Sequence, residues 1–394
     1  MITVNEAKNI IRHNCKVLPA ITLPLESALT YVLAEDVYAV ADIPAFDQSS
    51  MDGYAIAFDD YYYHHKLQVE GVIPAGHSIA ARIQARQAAR IFTGAPMPQG
   101  ADTVIIQEKV TVENNELTGT DTLLKKGSNV RPKGSEIKAG EIAATKGTCL
   151  SPAAIGFLAG IGIAEVKVIS KPTISIVVTG NELRQPGKPL LHGQVYESNS
   201  FTLNAILQQL FMSNVTTIWV DDDLCLMEDA LEKALEHSDM VLLTGGVSVG
   251  DYDYVLEAAS ICGVQQLFHR IKQKPGKPLF FGKKGDKLVF GLPGNPSSVL
   301  TCFYEYVIPA LQQLTQRKSI IKVVHLPLAK AHQKKPGLTH FLKGHVEANK
   351  VIPLQAQESY RLSSFSAANC LIRLEEEGEE YAAGAMVEVH LLPF

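Results

Sequence analysis

A doubly wound α/β domain with a parallel sheet, set among smaller β and helical parts, is the fold class that three features of the sequence predict. First, between residues 172 and 319 short apolar runs alternate with amphipathic stretches of helical length, the pattern of βαβ units. The runs lie at 174–178, 215–220, 239–243 and 288–291, and the helical stretches at 200–210, 226–237, 254–262 and 297–314. Second, each run ends in polar or glycine-rich residues, as a buried strand does when it delivers a loop to a binding crevice. Third, the texture on either side changes to short alternating segments separated by turns, which predicts small β domains.

In chain order, residues 1–45 read as mainly helical from apolar spacing, opened by a capping box at Thr3-x-x-Glu6. Residues 46–139 read as an inserted small β domain, in which the Gly- and Pro-rich loop at 90–108 is stiff and holds Thr93 at its apex. Helical texture returns over 140–171, so the expected divisions are a helical and extended linker domain (1–45 with 140–171), the inserted β domain (46–139), the α/β domain (172–319) and a C-terminal β barrel (320–394).

Composition narrows the class of function. The 394 residues carry a formal charge of −5, with 46% hydrophobic and 20% charged side chains, values of an ordinary globular protein. No basic stripe advertises nucleic acid. The six cysteines show no C-x-x-C spacing, which argues against a zinc site or disulfide framework. The start lacks the basic and apolar regions of a leader, and the longest apolar stretch, 151–164, is shorter than a membrane span and broken by Gly156, Gly160 and Gly162. A cytoplasmic protein without membrane attachment is expected.

The strand ends supply the chemistry. Thr179, Gly180 and Glu182, then Asp221 to Asp223, then Thr244 with Gly245, Gly246 and Gly250, bring carboxylates and close-approaching backbone amides to one sheet edge. Asp251 and Asp253, spaced i and i+2, suit a hard cation such as Mg²⁺. Lys274 and Lys277 stand on a KPGKP turn, and Gly294-Asn295-Pro296-Ser297-Ser298 opens a helix whose N–H groups favour an oxyanion. A helix cap or a solvated turn explains any one of these features. Together they point to a site for a metal-bound phosphate ester.

Eight stretches, in order, resemble the molybdopterin molybdenumtransferase family, which includes the E domain of gephyrin: DQSSMDGYA, RIFTGAPMPQGADTV, NVRPKGSEIKAGE, TGNEL, TGGVSVGDYDY, KPGKP, GLPGNPSS and RLSSFSAANCLIRL. The resemblance implies insertion of molybdate into adenylylated molybdopterin with release of AMP, dependence on Mg²⁺, and an elongated homodimer. Transient contact with the molybdopterin adenylyltransferase and with cofactor acceptors is implied too. It assigns catalytic roles to Asp52, Thr93, Arg131, Glu136, Glu182, Asp222 and Asp253, and metal ligation to Glu182, Asp222, Asp251 and Asp253. Substrate binding falls to Thr179, Gly180, Gly245, Gly246, Ser248, Gly250, Arg270, Lys274, Lys277, Pro293, Gly294, Asn295, Pro296, Ser297 and Ser364. Asn181 stands where the family often has an acid, and Glu136 replaces a commoner aspartate. The alternatives are the adenylyltransferase, whose fold would resemble residues 172–319, and a non-catalytic scaffold of the same fold.

Overall fold

A computed structural model describes residues 1–76, 81–246, 254–318 and 320–393. The chain forms two compact units: Met1–Thr22, Thr30–Ala34 and Lys167–Phe394 in the first, Leu23–Leu29 and Glu35–Val166 in the second.

The first unit is built on a six-stranded sheet: β1 (Ile174–Thr179), β2 (Val215–Val220), β3 (Met240–Thr244), β4 (Gln265–His269), β5 (Phe280–Lys284) and β6 (Lys287–Leu292). Their order is β2-β1-β3-β6-β5-β4. The first four in that order are mutually parallel, and antiparallel ladders join β5 to β6 and β4 to β5, so β5 alone runs against the rest. All four strands that the sequence predicts are present. Strands β4 and β5 are additional. Their signal is weak because Gln265, Gln266, Lys283 and Lys284 interrupt the apolar run.

The helices are α1 (Asn199–Gln209), α2 (Leu224–His237), α3 (Val255–Ile261) and a long terminal helix α4, which runs as Pro296–Cys302, a π-turn Phe303–Val307 and Ile308–Thr315. Pro309 has no N–H to give the preceding turn and its ring crowds that turn, so the helix widens just before it. Alternate residues of each parallel strand enter opposite cores, as a pleated strand covered on both faces requires. Ile176, Val178, Leu242 and Phe290 pack with Leu203, Leu207 and Phe303, whereas Val177, Val241, Leu243 and Val289 pack with Leu231, Leu235 and Val255.

The expectation of a mainly helical residues 1–45 is corrected. Only Val4–Asn14 is α-helical, with the Thr3/Glu6 capping box in place, and Ala20–Pro24, Val32–Leu33 and Val37–Tyr38 are strands. Pro19 and Pro24 remove donors that a helix would need. Over 140–171 the helix is Pro152–Gly160, capped by Ser151, between strands Ile142–Ala144 and Glu165–Ile169.

Beyond α4, Lys322–Pro327 pairs with Met386–Leu391, that strand with Cys370–Leu374, that with Thr339–Glu347, and that with Lys350–Pro353. A bridge from Leu328 to Val351, with the Ala329 N–H donating to the Val351 carbonyl at 2.8 Å, closes the circuit into the expected barrel. Leu342, Val351, Ile372 and Val389 fill it.

The second unit holds a six-stranded sheet in the order Thr103–Ile106, Gly53–Ile56, Gln87–Ile91, Lys66–Ile73, Glu116–Gly119 and Val110–Glu113. A Cβ on Gly53 would lie 2.0 Å from the Ile105 carbonyl oxygen, so only glycine lets these strands approach. A helix, Phe58–His64, interrupts the β texture that the sequence suggests.

Candidate active site

The chain reverses its winding between β1 and β3, and the crevice beyond such a reversal is where open α/β sheets bind ligands. At the end of β1 the Thr179 hydroxyl donates to Asp222 Oδ1 and the Asn181 N–H to Asp222 Oδ2 (3.1 Å); the Asp222 N–H donates back to Asn181 Oδ1 (3.1 Å). These bonds clasp the ends of β1 and β2 together. Gly245, at φ 92°, passes so near β1 that a Cβ would sit 2.5 Å from the Thr179 carbonyl oxygen.

A cleft of about 870 Å³ lies within this unit. Glu182 and the segment Val195 to Asn199 bound it together with the 273–278 turn, the 293–298 loop and the 357–360 loop. Each wall has a local reason for its shape. Glu197 is buried and accepts from the Ser200 N–H (2.7 Å) and hydroxyl (2.6 Å), which starts α1. Asn199 Nδ2 donates to the Gly294 carbonyl (2.9 Å), leaving its Oδ1 buried without a partner among the described residues.

The lysine turn is held from beneath. Buried Gln273 donates through Nε2 to the carbonyls of Pro275 (3.0 Å) and Gly276 (3.1 Å), and its Oε1 accepts from the Tyr306 hydroxyl in the π-turn of α4. Gly276, at φ 85°, packs so closely that a Cβ would lie 2.5 Å from Cys302 Sγ. Lys274 and Lys277 are thereby presented on an exposed, firmly backed turn.

The 357–360 loop is held by one buried amine. Lys343 donates to the carbonyls of Ala356 (2.8 Å), Arg361 (3.2 Å) and Glu358 (3.3 Å), and burial pushes its pKa down. Asn295 Nδ2 donates to Ser359 Oγ (3.0 Å), and the Ser297 N–H to the Ser359 carbonyl (3.0 Å).

Of the residues expected at the site, Glu182, Lys274, Lys277, Pro293, Gly294, Asn295 and Pro296 line this cleft. Thr179, Asp222, Gly245 and Gly246 lie at the ends of β1, β2 and β3, and Gly180 borders a separate cleft of about 560 Å³ with Asp221. Arg270, Ser297 and Ser364 are not among the lining residues. The Ser297 side chain is fully buried, and Ser364 Oγ donates to the Ala356 carbonyl (2.8 Å), supporting the loop instead. Ser248, Gly250, Asp251 and Asp253 lie outside the described residues.

Asp52, Thr93, Arg131 and Glu136 belong to the second unit. There Asp52 Oδ1 accepts from the Thr93 N–H (2.8 Å) and hydroxyl (2.9 Å), and these bonds hold the carboxyl below its ordinary range. Arg131 pairs with Gln48 in a short ladder, and the Glu136 N–H donates to the Ile43 carbonyl (2.9 Å); both side chains are exposed. Gln273, Tyr306, Lys343 and Asn199 are missing from the expected set. Only Lys343 leaves a trace in sequence, a charge in the otherwise apolar strand text FLKG.

Residues 2–162 match the MoeA N-terminal region (domain I and II), residues 175–313 a probable molybdopterin binding domain, and residues 325–392 the MoeA C-terminal region (domain IV). A Haemophilus influenzae protein named molybdopterin molybdenumtransferase is 34% identical over 410 residues, covering 100% of both chains. The chain belongs to the molybdopterin molybdenumtransferase family. A Staphylococcus aureus relative of the same name is 32% identical over 99% of this chain and 95% of its own. Among solved structures, the molybdopterin biosynthesis moeA protein of Pyrococcus horikoshii OT3 superposes with a TM-score of 0.81 at 30% identity, covering 99% of this chain and 100% of that one. The molybdopterin molybdenumtransferase family thus accounts for the α/β sheet, the β domain and the terminal barrel alike.

Proposed function

We propose that the protein is a molybdopterin molybdenumtransferase, which takes adenylylated molybdopterin and molybdate, places molybdenum at the dithiolene sulfurs and releases AMP. The observation that carries this reading is the 870 Å³ cleft, in which Lys274 and Lys277 line the same space as Glu182 and the loop that opens α4. Fixed cations and backbone donors stabilise the charge that develops when a phosphate bond breaks. The lysines bind the anionic groups, and the rigid turn beneath them supplies orientation without reorganisation.

Glu182 and Asp222 offer hard oxygen donors, the chemistry that Mg²⁺ prefers. Among the described residues no three His, Cys, Asp or Glu side chains group to hold a metal by themselves. Mg²⁺ commonly takes one or two carboxylates and completes its shell with substrate phosphate and water, so these two residues fit it. They would hold the ion, which neutralises phosphate charge when bound. Asp52, Thr93, Arg131, Glu136 and Asp253 complete the proposed catalytic set, and Asp251 and Asp253 the proposed metal ligands. A homodimer acting in the cytoplasm, in transient contact with the adenylyltransferase and with cofactor acceptors, is part of the same reading.

The test is to mix adenylylated molybdopterin, Mg²⁺ and molybdate with the protein and follow AMP and cofactor. Molybdate-dependent AMP release is expected, lost on chelation of the metal. Formation of adenylylated pterin from molybdopterin and ATP would assign the protein to the adenylyltransferase reaction instead, and inactivity of a well-folded protein would favour a scaffold.

A further inference from the structure

The Lys274–Pro275 turn borders a second cleft, of about 680 Å³, whose other walls come from the barrel segment 332–342. Five of its lining residues are basic: Lys274, His332, Lys334, Lys335 and His340. Among the described residues no carboxylate lines it. The nearby acidic turn faces the wall at Lys334, whose charge Glu375, Glu376, Glu377 and Glu379 favour, while Glu376 also pairs with Lys272 (2.6 Å) and Glu375 with Arg373 (3.3 Å).

The basic residues divide into two kinds. Lys334 Nζ is committed to the carbonyls of Leu338 (2.9 Å), Glu376 (3.0 Å) and Lys335 (3.3 Å), so it acts as a fixed charge in the wall. The side chains of Lys274, His332, Lys335 and His340 make no hydrogen bond or ion pair with any described residue. Two unpaired lysines and two unpaired imidazoles on one concave surface suit an anion, because an ionised acceptor gains most from unpaired donors in a partly desolvated place.

We infer that this cleft binds a tetrahedral oxyanion of the phosphate class, free or as a monoester, with Lys274, Lys335, His332 and His340 as its donors. The inference stands on the cleft itself and does not depend on the proposed reaction. Its coupling to protons follows from what faces His340. Burial, with Lys334, Lys274 and His332 around it, pulls the His340 pKa down to about 4, so the empty site holds a neutral ring at neutral pH. A bound phosphate-class anion offsets the repulsion from those lysines and raises the titration midpoint of the ring toward its ordinary value.

The experiment is a titration of the full chain, with histidine rings isotopically labelled, by inorganic phosphate and separately by AMP, against chloride at matched ionic strength. Saturable shifts of the His332 and His340 signals are expected, and the His340 titration midpoint should rise by about one pH unit or more. Lys335→Gln, at an exposed side chain that lines only this cleft, should weaken binding roughly tenfold. Lys277→Gln, which alters only the first cleft, should leave it unchanged. Tighter binding of inorganic phosphate identifies a free oxyanion as the ligand, and tighter binding of AMP a monoester. Silence of both rings, equal shifts with chloride, or loss of the response in Lys277→Gln but not in Lys335→Gln would overturn the assignment.

Discussion

The sheet edge of the α/β domain and the barrel side of the main cleft are held by different means. At the sheet edge, outside the lining of that cleft, backbone decides: Gly180 and Gly245 hold left-handed conformations, and the Asp222 clasp joins neighbouring strand ends. The wall on the barrel side is set by buried polar side chains that reach far along the chain, Lys343 to the 356–361 loop and Gln273 to Tyr306. Next to Tyr306, Glu305 receives Lys8 (2.5 Å) from the N-terminal helix and His390 (2.6 Å) from the last barrel strand. A backbone-set edge fails through steric strain. A wall set by buried polar groups fails when one partner is removed, and it is the one exposed to pH.

The largest expected effect is on that buried charge. Glu305→Gln leaves Lys8 without its carboxylate and His390 with Glu388 alone, and should cost about 4 kcal/mol in urea unfolding. Burial opposes the charge on Glu305, but Lys8 and His390 outweigh it and hold its pKa at about 2; the bond to His390, helped by Arg373, holds Glu388 at about 2 as well. Carboxyl pKa values depressed on folding contribute stability above their unfolded value of about 4.3, and that stability is lost as pH falls toward the folded value. His390 is raised: burial opposes its charge, and Glu305 and Glu388 prevail. Its contribution is complete below about pH 6.5 and is lost as pH rises through the folded value. The unfolding midpoint should therefore drop as pH falls from about 4.5 to about 2, and Glu305→Gln should flatten that dependence.

Next comes the backbone-set edge. Gly245→Ala forces a Cβ to 2.5 Å from a main-chain oxygen at a positive φ, for a loss of about 3 kcal/mol by the same measurement. Wild-type stability in this variant would mean that the β1–β3 spacing is looser than described. Lys343→Met removes the donor of three carbonyls and should cost about 2 kcal/mol. Because it loosens a wall and not the lysines, KM should rise more than kcat falls, and the reverse split would show that Lys343 acts on the chemistry. Smallest is Asn295→Ala, which loses one bond to Ser359 and should cost about 1 kcal/mol.

The same contrast explains what the sequence made legible. The parallel strands, their glycine loops and Lys274, Lys277 and Glu182 could be read because each depends on neighbours within a few residues. Gln273, Tyr306 and Lys343 could not, since a buried glutamine or lysine declares its role only when partners 33 or 13 residues away are in place. Residues 1–45 misled because proline-broken extended segments carried near-helical apolar spacing. Ser297 suggested a free donor at a helix start, but tertiary packing buried its side chain and assigned its N–H to Ser359.

The most direct test of the central claim is molybdate-dependent AMP release from adenylylated molybdopterin by the wild type and by Lys277→Ala, an exposed change that should leave folding intact. AMP and cofactor should form together in the wild type, with kcat/KM lower by roughly 100-fold in the variant. Equal rates in the two proteins would contradict the account.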